Sequence, residues 1–197
     1  MAGIATNVTA GKPNTSGAVF TAPAGSTLPT TASATLDAAF KDMGFVSEDG
    51  VTKSTSISTT TIKEWGGAPV LVTQDEKIVS VKLKLIEYKR KDVHSFVHGS
   101  NNVTESSGAI TVKINAEDPG EQAIVIDMTL RGNIDYRMVI PRGKITAIGD
   151  TVYKSNEAVA YDITITTMLD DAGYAVYEYQ APHSGAQGAT GATSGTS

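Results

Sequence analysis

Apolar and polar residues alternate along much of this chain in runs long enough to define strands. Val79, Val81, Leu83 and Leu85 fall on one face, with Ser80, Lys82 and Lys84 on the other, which is the period of a half-buried strand. Ile110, Val112 and Ile114 give a second stripe, and Ile124, Ile126, Met128 and Leu130 a third. Ile134, Tyr136, Met138 and Ile140 follow, and Val159, Tyr161, Ile163 and Ile165 repeat the pattern again. Gly132-Asn133 between two of these stripes is a turn signal, so the flanking strands pair as a hairpin. Tyr174 to Tyr179 reads as a last strand, after the Asp170-Asp171-Ala172-Gly173 turn.

Two segments carry the helical period instead. Leu36, Ala39, Phe40 and Met43 recur at i, i+3, i+4 and i+7, with Ser33 or Thr35 placed to cap and Gly44 placed to stop. Residues 90–98 predict two further turns, with Asp92 near the start and Gly99 ending the helix in a left-handed conformation. Strands outnumber helices, and most have one apolar face. The expected fold is therefore mainly β, a β-sandwich or barrel-like body with one or two short flanking helices and extended arms.

The arms are polar. Residues 1–15 form an N-terminal arm rich in Gly, Ala, Ser, Thr and Pro, ahead of a β-sandwich body over 16–180. Ala18-Val19-Phe20 predicts a short strand near the start of that body. An extended polar loop is expected at about 50–68, where Thr52 to Ile62 is β-prone yet polar on both faces and needs neighbours, including from another chain. Residues 181–197 are Gly, Ala, Ser and Thr-rich. Gly185, Gly188 and Gly191 fall at every third position. Three triplets with no imino acid among them are too few for a collagen-like triple helix, so a flexible tail is expected.

Composition mainly excludes. The 197 residues contain no cysteine, which removes disulfides, thiol nucleophiles and thiolate metal sites. A net charge of −5 gives no overall attraction for phosphate. No apolar run reaches the roughly 18–20 residues that span a bilayer, and Met1 to Thr6 lacks the pattern of a secretory signal. His94 and His98 stand at helical i, i+4 spacing, but no glutamate lies between them and no third ligand is evident, so half-exposed helix histidines are expected rather than a metal site. Phosphate loops, dinucleotide fingerprints and nucleophile elbows are absent. Asp49-Gly50 and Asp170-Asp171 read as turn chemistry, and Lys89-Arg90-Lys91 as a solvated helix start. Trp65, the only tryptophan, is read as a core or loop anchor ahead of a surface that stacks on a base or grips a partner. The expectation is a chain with no enzymatic activity and no cofactor.

An ordered series of segments then carries a resemblance. Ala10-Gly11-Lys12-Pro13, Gly17-Ala18-Val19-Phe20 and Ala22-Pro23-Ala24-Gly25-Ser26-Thr27-Leu28-Pro29 come first. Leu36 to Lys41, Gly44 to Val51, Ile62 to Gly67, Val139-Ile140-Pro141, Ile148-Gly149-Asp150 and Glu157 to Tyr161 follow in order. Together, over roughly residues 10–179, they resemble the major tail proteins, or tail-tube proteins, of long, non-contractile-tailed bacteriophages (siphophages). Ser26 stands where that family usually has Thr, residues 90–98 are more basic than its pattern, and the Gly/Ala tail has no counterpart.

The resemblance implies a virion subunit that polymerises as stacked hexameric rings into a tail tube assembled in the host cytoplasm. It implies the tape-measure protein and other tail proteins as partners, with double-stranded DNA in transit during genome delivery. Candidate inter-subunit contacts on the arms are Lys12, Pro13, Ile57, Ile62 and Trp65. A net acidic conduit would repel DNA and let it slide. The rival reading is a β-sandwich binding or adhesion module on a virion or cell surface, which predicts a stable monomer with an aromatic-lined pocket.

Overall fold

The computed structural model describes residues 8–13 and 18–183. Eleven strands and one helix run in the order β1 (Gly11–Pro13), β2 (Val19–Pro23), β3 (Lys41–Asp42), β4 (Val46–Lys63), β5 (Pro69–Leu85), α1 (Lys91–His98), β6 (Val103–Ser106), β7 (Ala109–Val112), β8 (Gln122–Leu130), β9 (Ile134–Ile148), β10 (Tyr161–Met168) and β11 (Tyr177–Pro182). A 3-10 turn at Ser100–Asn102 links α1 to β6. The mainly β expectation holds, with one short helix at the flank.

Nine strands make one antiparallel sheet, ordered β3-β2-β8-β9-β10-β5-β4, and β6 with β7 makes a separate hairpin. β1 continues along the edge of β8 beyond β2, with Lys12 opposite Thr129. β9 is shared in the same way: its second half pairs with β10 and its first half with β11. Pro141 lies between those two halves and beside a bulge in the β8 ladder, where a missing N–H costs no ladder bond. The Gly132-Asn133 turn joins β8 to β9 as expected, with both residues at positive φ (92° and 58°), a conformation Gly and Asn tolerate best.

The sheet curls without closing. Val19 of β2 lies near one end of the strand order and Val81, Leu83 and Leu85 of β5 near the other, yet all belong to one apolar cluster with Ile124, Ile126, Ile140, Ile163 and Ile165. That is the inside of an open, sandwich-like body. α1 covers it with Val93, Phe96 and Val97, its buried stripe following the i, i+3, i+4 period. Each fully buried Val, Leu or Ile contributes about 1.5–3 kcal/mol. The second face of β8 and β9 is covered by residues 31–34, tied down by Arg137.

Gly143 shows how tightly this core is filled. A Cβ at that position would meet Ile124 Cδ1 at 2.8 Å, Ile165 Cγ2 at 3.0 Å and Ile140 Cγ2 at 3.2 Å. Gly143→Ala is therefore expected to destabilise the subunit by about 1–3 kcal/mol, although replacing Gly in a strand ordinarily stabilises it. The midpoint of urea unfolding checks this; an unchanged or raised midpoint would contradict the packing described.

Several expectations need correction. Residues 36–43 form no helix: Asp37 Oδ1 accepts the Ala39 N–H at 2.9 Å, Phe40 N–H bonds to Asp37 O, and Lys41–Asp42 pairs with β2 as β3. Ile114 lies beyond β7 and is exposed, while Ile110 and Val112 are half-buried in the small β6–β7 hairpin. Gly99 has positive φ but ψ of 141°, so it leaves the helix in an extended direction rather than in a left-handed turn. Asp49-Gly50 sits within β4 at a register irregularity instead of in a connecting turn. The triplet glycines of the tail lie outside the described residues; of the tail's first residues, Ala181 and Pro182 complete β11 and the His183 N–H bonds to Asn133 O.

Candidate assembly surface

The expected polar loop is the far part of a long β-hairpin. β4 and β5 pair from Val51–Leu83 out to Lys63–Pro69, which at about 3.3 Å per residue is a reach of about 40 Å. Residues 52–77 are exposed along its whole outer length. The tip is a tight turn, with Glu64 N–H bonding to Ala68 O at 2.9 Å and Gly67 N–H to Glu64 O at 2.8 Å. A two-stranded ribbon has little stability of its own. Here Thr60 Oγ1 donates to Asp75 at 2.6 Å, and Thr73 Oγ1 donates to Thr60 O at 3.3 Å. At the base, Lys53 pairs with Glu178 of β11, crossing from one layer of the sandwich to the other. Burial raises the Glu178 pKa, but its bonds to Lys53 and Tyr136 outweigh that and hold it below the usual carboxylate range.

Three of the five candidate contacts lie on this hairpin. Trp65 projects fully into solvent at the tip, and Ile57 and Ile62 are about half exposed on β4. The reading of Trp65 as a core or loop anchor is overturned, because the Glu64–Ala68 turn carries it away from the body. Lys12 and Pro13 are elsewhere: they are exposed on β1, paired with Thr129 and Met128 of the same chain. The return strand adds Val70, Leu71 and Val72, exposed by 63%, 52% and 60%. These three were legible as the apolar run after Pro69, yet reading β5 only from Val79 onward left them out.

The backbone of β4 is as notable as its side chains. β4 ends the strand order, so among the described residues one of its edges has no partner strand. Proteins that stay monomeric blunt such edges with charge, proline or a cover. From Ser54 to Ile62, β4 has neither charge nor proline.

The other candidate features resolve into local structure. Asp170 Oδ1 accepts N–H bonds from Ala172 and Tyr174, and Oδ2 accepts the Tyr177 hydroxyl at 2.6 Å; that bond pushes the Tyr177 pKa up to about 12. Arg90 is held by Asp42 and Glu87. His94 is buried, not half-exposed, and turns with His98 toward Tyr161. Among the described residues, no group of three or more His, Cys, Asp or Glu side chains could hold a metal ion. No described helix is long and apolar enough to cross a membrane. A cavity of about 600 Å³ near the hairpin base has one aromatic side chain in its lining, Tyr88.

The family described as phage tail tube protein matches residues 6–190. Among curated proteins, no sequence matches. Among solved structures, the tube-terminating cap of an anti-feeding prophage aligns at 11% identity and a TM-score of 0.44, covering 86% of this chain and 93% of that one. The sheath–tube complex of an extracellular contractile injection system (PVC, extended state) aligns at 10% identity and a TM-score of 0.43, covering 83% and 89%.

Proposed function

The chain belongs to the phage tail tube proteins, a structural and non-enzymatic family, and from that premise we propose that copies of it stack as hexameric rings into the tube of a siphophage tail. A member of that family is a structural component of a virion tail, built into a multi-subunit tube with other tail proteins. In this reading the tube is the conduit for genome delivery, holding the tape-measure protein first and passing double-stranded DNA later.

The observation that carries the reading is the open edge of β4. An 18-residue strand whose edge lacks protective charge over its outer half, Ser54 to Ile62, is an aggregation hazard in a monomer. Pairing it with a neighbouring copy inside a ring removes the hazard, as closure does in a barrel. Past Ser54–Ser80, where β5 stops pairing with β10, the hairpin reaches about 30 Å beyond the body, far enough to lay Trp65, Ile62 and Leu71 on a copy in the next ring. Lys12 and Pro13 join this contact set from the edge of β8. The net charge of −5 supports a wall that does not hold phosphate.

Electron microscopy of the purified full chain over a range of concentrations tests the proposal. Rings or tubes with sixfold symmetry are the expected result. A species that stays strictly monomeric at high concentration would overturn it, and rings of another order would correct the hexamer alone.

A further inference from the structure

Beside the apolar stripe of Val93, Phe96 and Val97, α1 meets the sheet through one shared hydroxyl. His94 Nδ1 lies 3.0 Å from Tyr161 Oη, and His98 Nε2 lies 3.1 Å from the same oxygen. The i, i+4 spacing puts both imidazoles on the inner face of α1, above the first residue of β10. Tyr161 pairs there with Leu85, at the root of the long hairpin. Tyr88 packs edge-on to His94 with ring centres 4.9 Å apart, and its hydroxyl bonds to Tyr153 at 2.9 Å.

A phenol has one proton to donate. With both histidines neutral, it donates to one ring nitrogen and accepts an N–H from the other. An imidazolium carries a proton on both nitrogens. Once both histidines are charged, two N–H groups face one oxygen and the tyrosine O–H loses its acceptor, in a place with little water to replace it. The two charges also repel.

The charges around the pair do not offset this. On α1 and the residues leading into it, Asp92 pairs with Lys41, Arg90 with Asp42 and Glu87, and Lys89 and Lys91 are exposed. On β10, Asp162 pairs with Lys82; near His98, Glu117 and Asp118 line a small cavity, and Asp118 is held by Lys144. Among the described residues, no carboxylate pairs with either ring.

We propose that His94, His98 and Tyr161 form an acid-sensitive latch that holds α1 on the hairpin-bearing sheet when neutral and loosens it when protonated. Burial lowers the pKa of both histidines, outweighing at His94 a hydrogen bond to the Tyr88 backbone that favours the charged ring, and His94 lowers that of His98 further. Unfolded histidine titrates near 6.5, so the unfolded chain takes up these protons first as pH falls. The contribution is complete above about pH 6.5 and is lost as pH falls below it toward the folded-state values. The latch belongs to the single subunit, so its test does not depend on tube formation.

The test compares denaturant unfolding of the full chain with that of a His94→Gln, His98→Gln double variant at pH 7.5 and 5.5. The lowered histidine pKa values raise the wild-type unfolding constant over this interval, by at most about a hundredfold for two groups with an unfolded pKa near 6.5, and the variant is expected to lack that increment. Equal pH dependence in the two proteins would overturn the proposal. Should the variant not fold, the ring C–H signals of His94 and His98 followed by NMR in the wild type decide: titration below pH 6 supports the latch, and titration near 6.5 sinks it.

Discussion

Replacing Arg137 with alanine is expected to destabilise the subunit by about 3–5 kcal/mol, the usual result of leaving one charge of a buried pair alone. The guanidinium is buried, its side chain 7% exposed, against an Asp127 side chain that is 13% exposed. It meets that carboxylate in a two-pronged contact, Nε to Oδ1 at 2.6 Å and Nη2 to Oδ2 at 2.8 Å, the geometry for which Arg is suited and Lys is not. Its remaining nitrogen donates to the carbonyls of Ala34 at 2.6 Å and Thr31 at 3.2 Å. Alanine thus leaves a carboxylate and two carbonyls without their donor and frees residues 31–34 from β9. Urea unfolding reads the loss directly. Removing both charges as Arg137→Met with Asp127→Leu should recover part of it, because the stranded carboxylate is gone while the two carbonyls still lack a donor. A loss below about 1 kcal/mol for the single variant would show that the ion pair does not hold this layer.

Which parts of this fold were legible follows from where each residue's partners lie. β5 and β10 read correctly because alternate residues on each strand face one core, so period 2 is written in the side chains. Leu85 and Tyr161 pair, as do Leu83 and Ile163. At β8 the pattern blurs, since Ala123 and Val125 are buried as well as Ile124 and Ile126: residues 31–34 cover one face and the main core the other. The false helix at 36–43 had the right spacing but the wrong competitor. A local bond from Asp37 to the Ala39 N–H, and β pairing of Lys41–Asp42 with β2, took the backbone instead.

The assembly surface was harder to read. Ser54 to Ile62 signals a strand through Thr and Ile propensity, but nothing local says that it pairs with β5 over most of its length. The register depends on residues further along the chain, from Leu71 opposite Ile62 to Ser80 opposite Ser54. Trp65 misled because a lone tryptophan is more often packed than presented, and the glycines after it serve the turn that exposes it. The His94–His98 spacing was visible as geometry. Their common partner, Tyr161, is more than 60 positions distant and is brought beneath α1 by β10 pairing with β5.

A paired charge substitution on the hairpin separates folding from assembly most sharply. Ile62 and Leu71 face each other across the ladder near the tip, 49% and 52% exposed. Ile62→Lys with Leu71→Asp puts opposite charges at that pair, which supports the hairpin, and neither position touches the core cluster. Unfolding free energy of the isolated subunit should therefore move by no more than about 0.5 kcal/mol, as for other surface changes. Assembly faces a different balance. If these side chains lie on a neighbouring copy, the variant forfeits apolar burial and must desolvate two charges. A loss of about 3 kcal/mol per copy raises the critical concentration for polymerisation roughly a hundredfold. Sedimentation of polymer from a dilution series measures that threshold, with circular dichroism verifying the fold. Tubes forming at the wild-type threshold would remove the hairpin tip from the contact while leaving the open edge of β4 as the site of lateral pairing. A subunit that folds normally and polymerises only at far higher concentration would place the tip between successive rings. Its reach of about 30 Å beyond the body would then set the upper limit on their spacing.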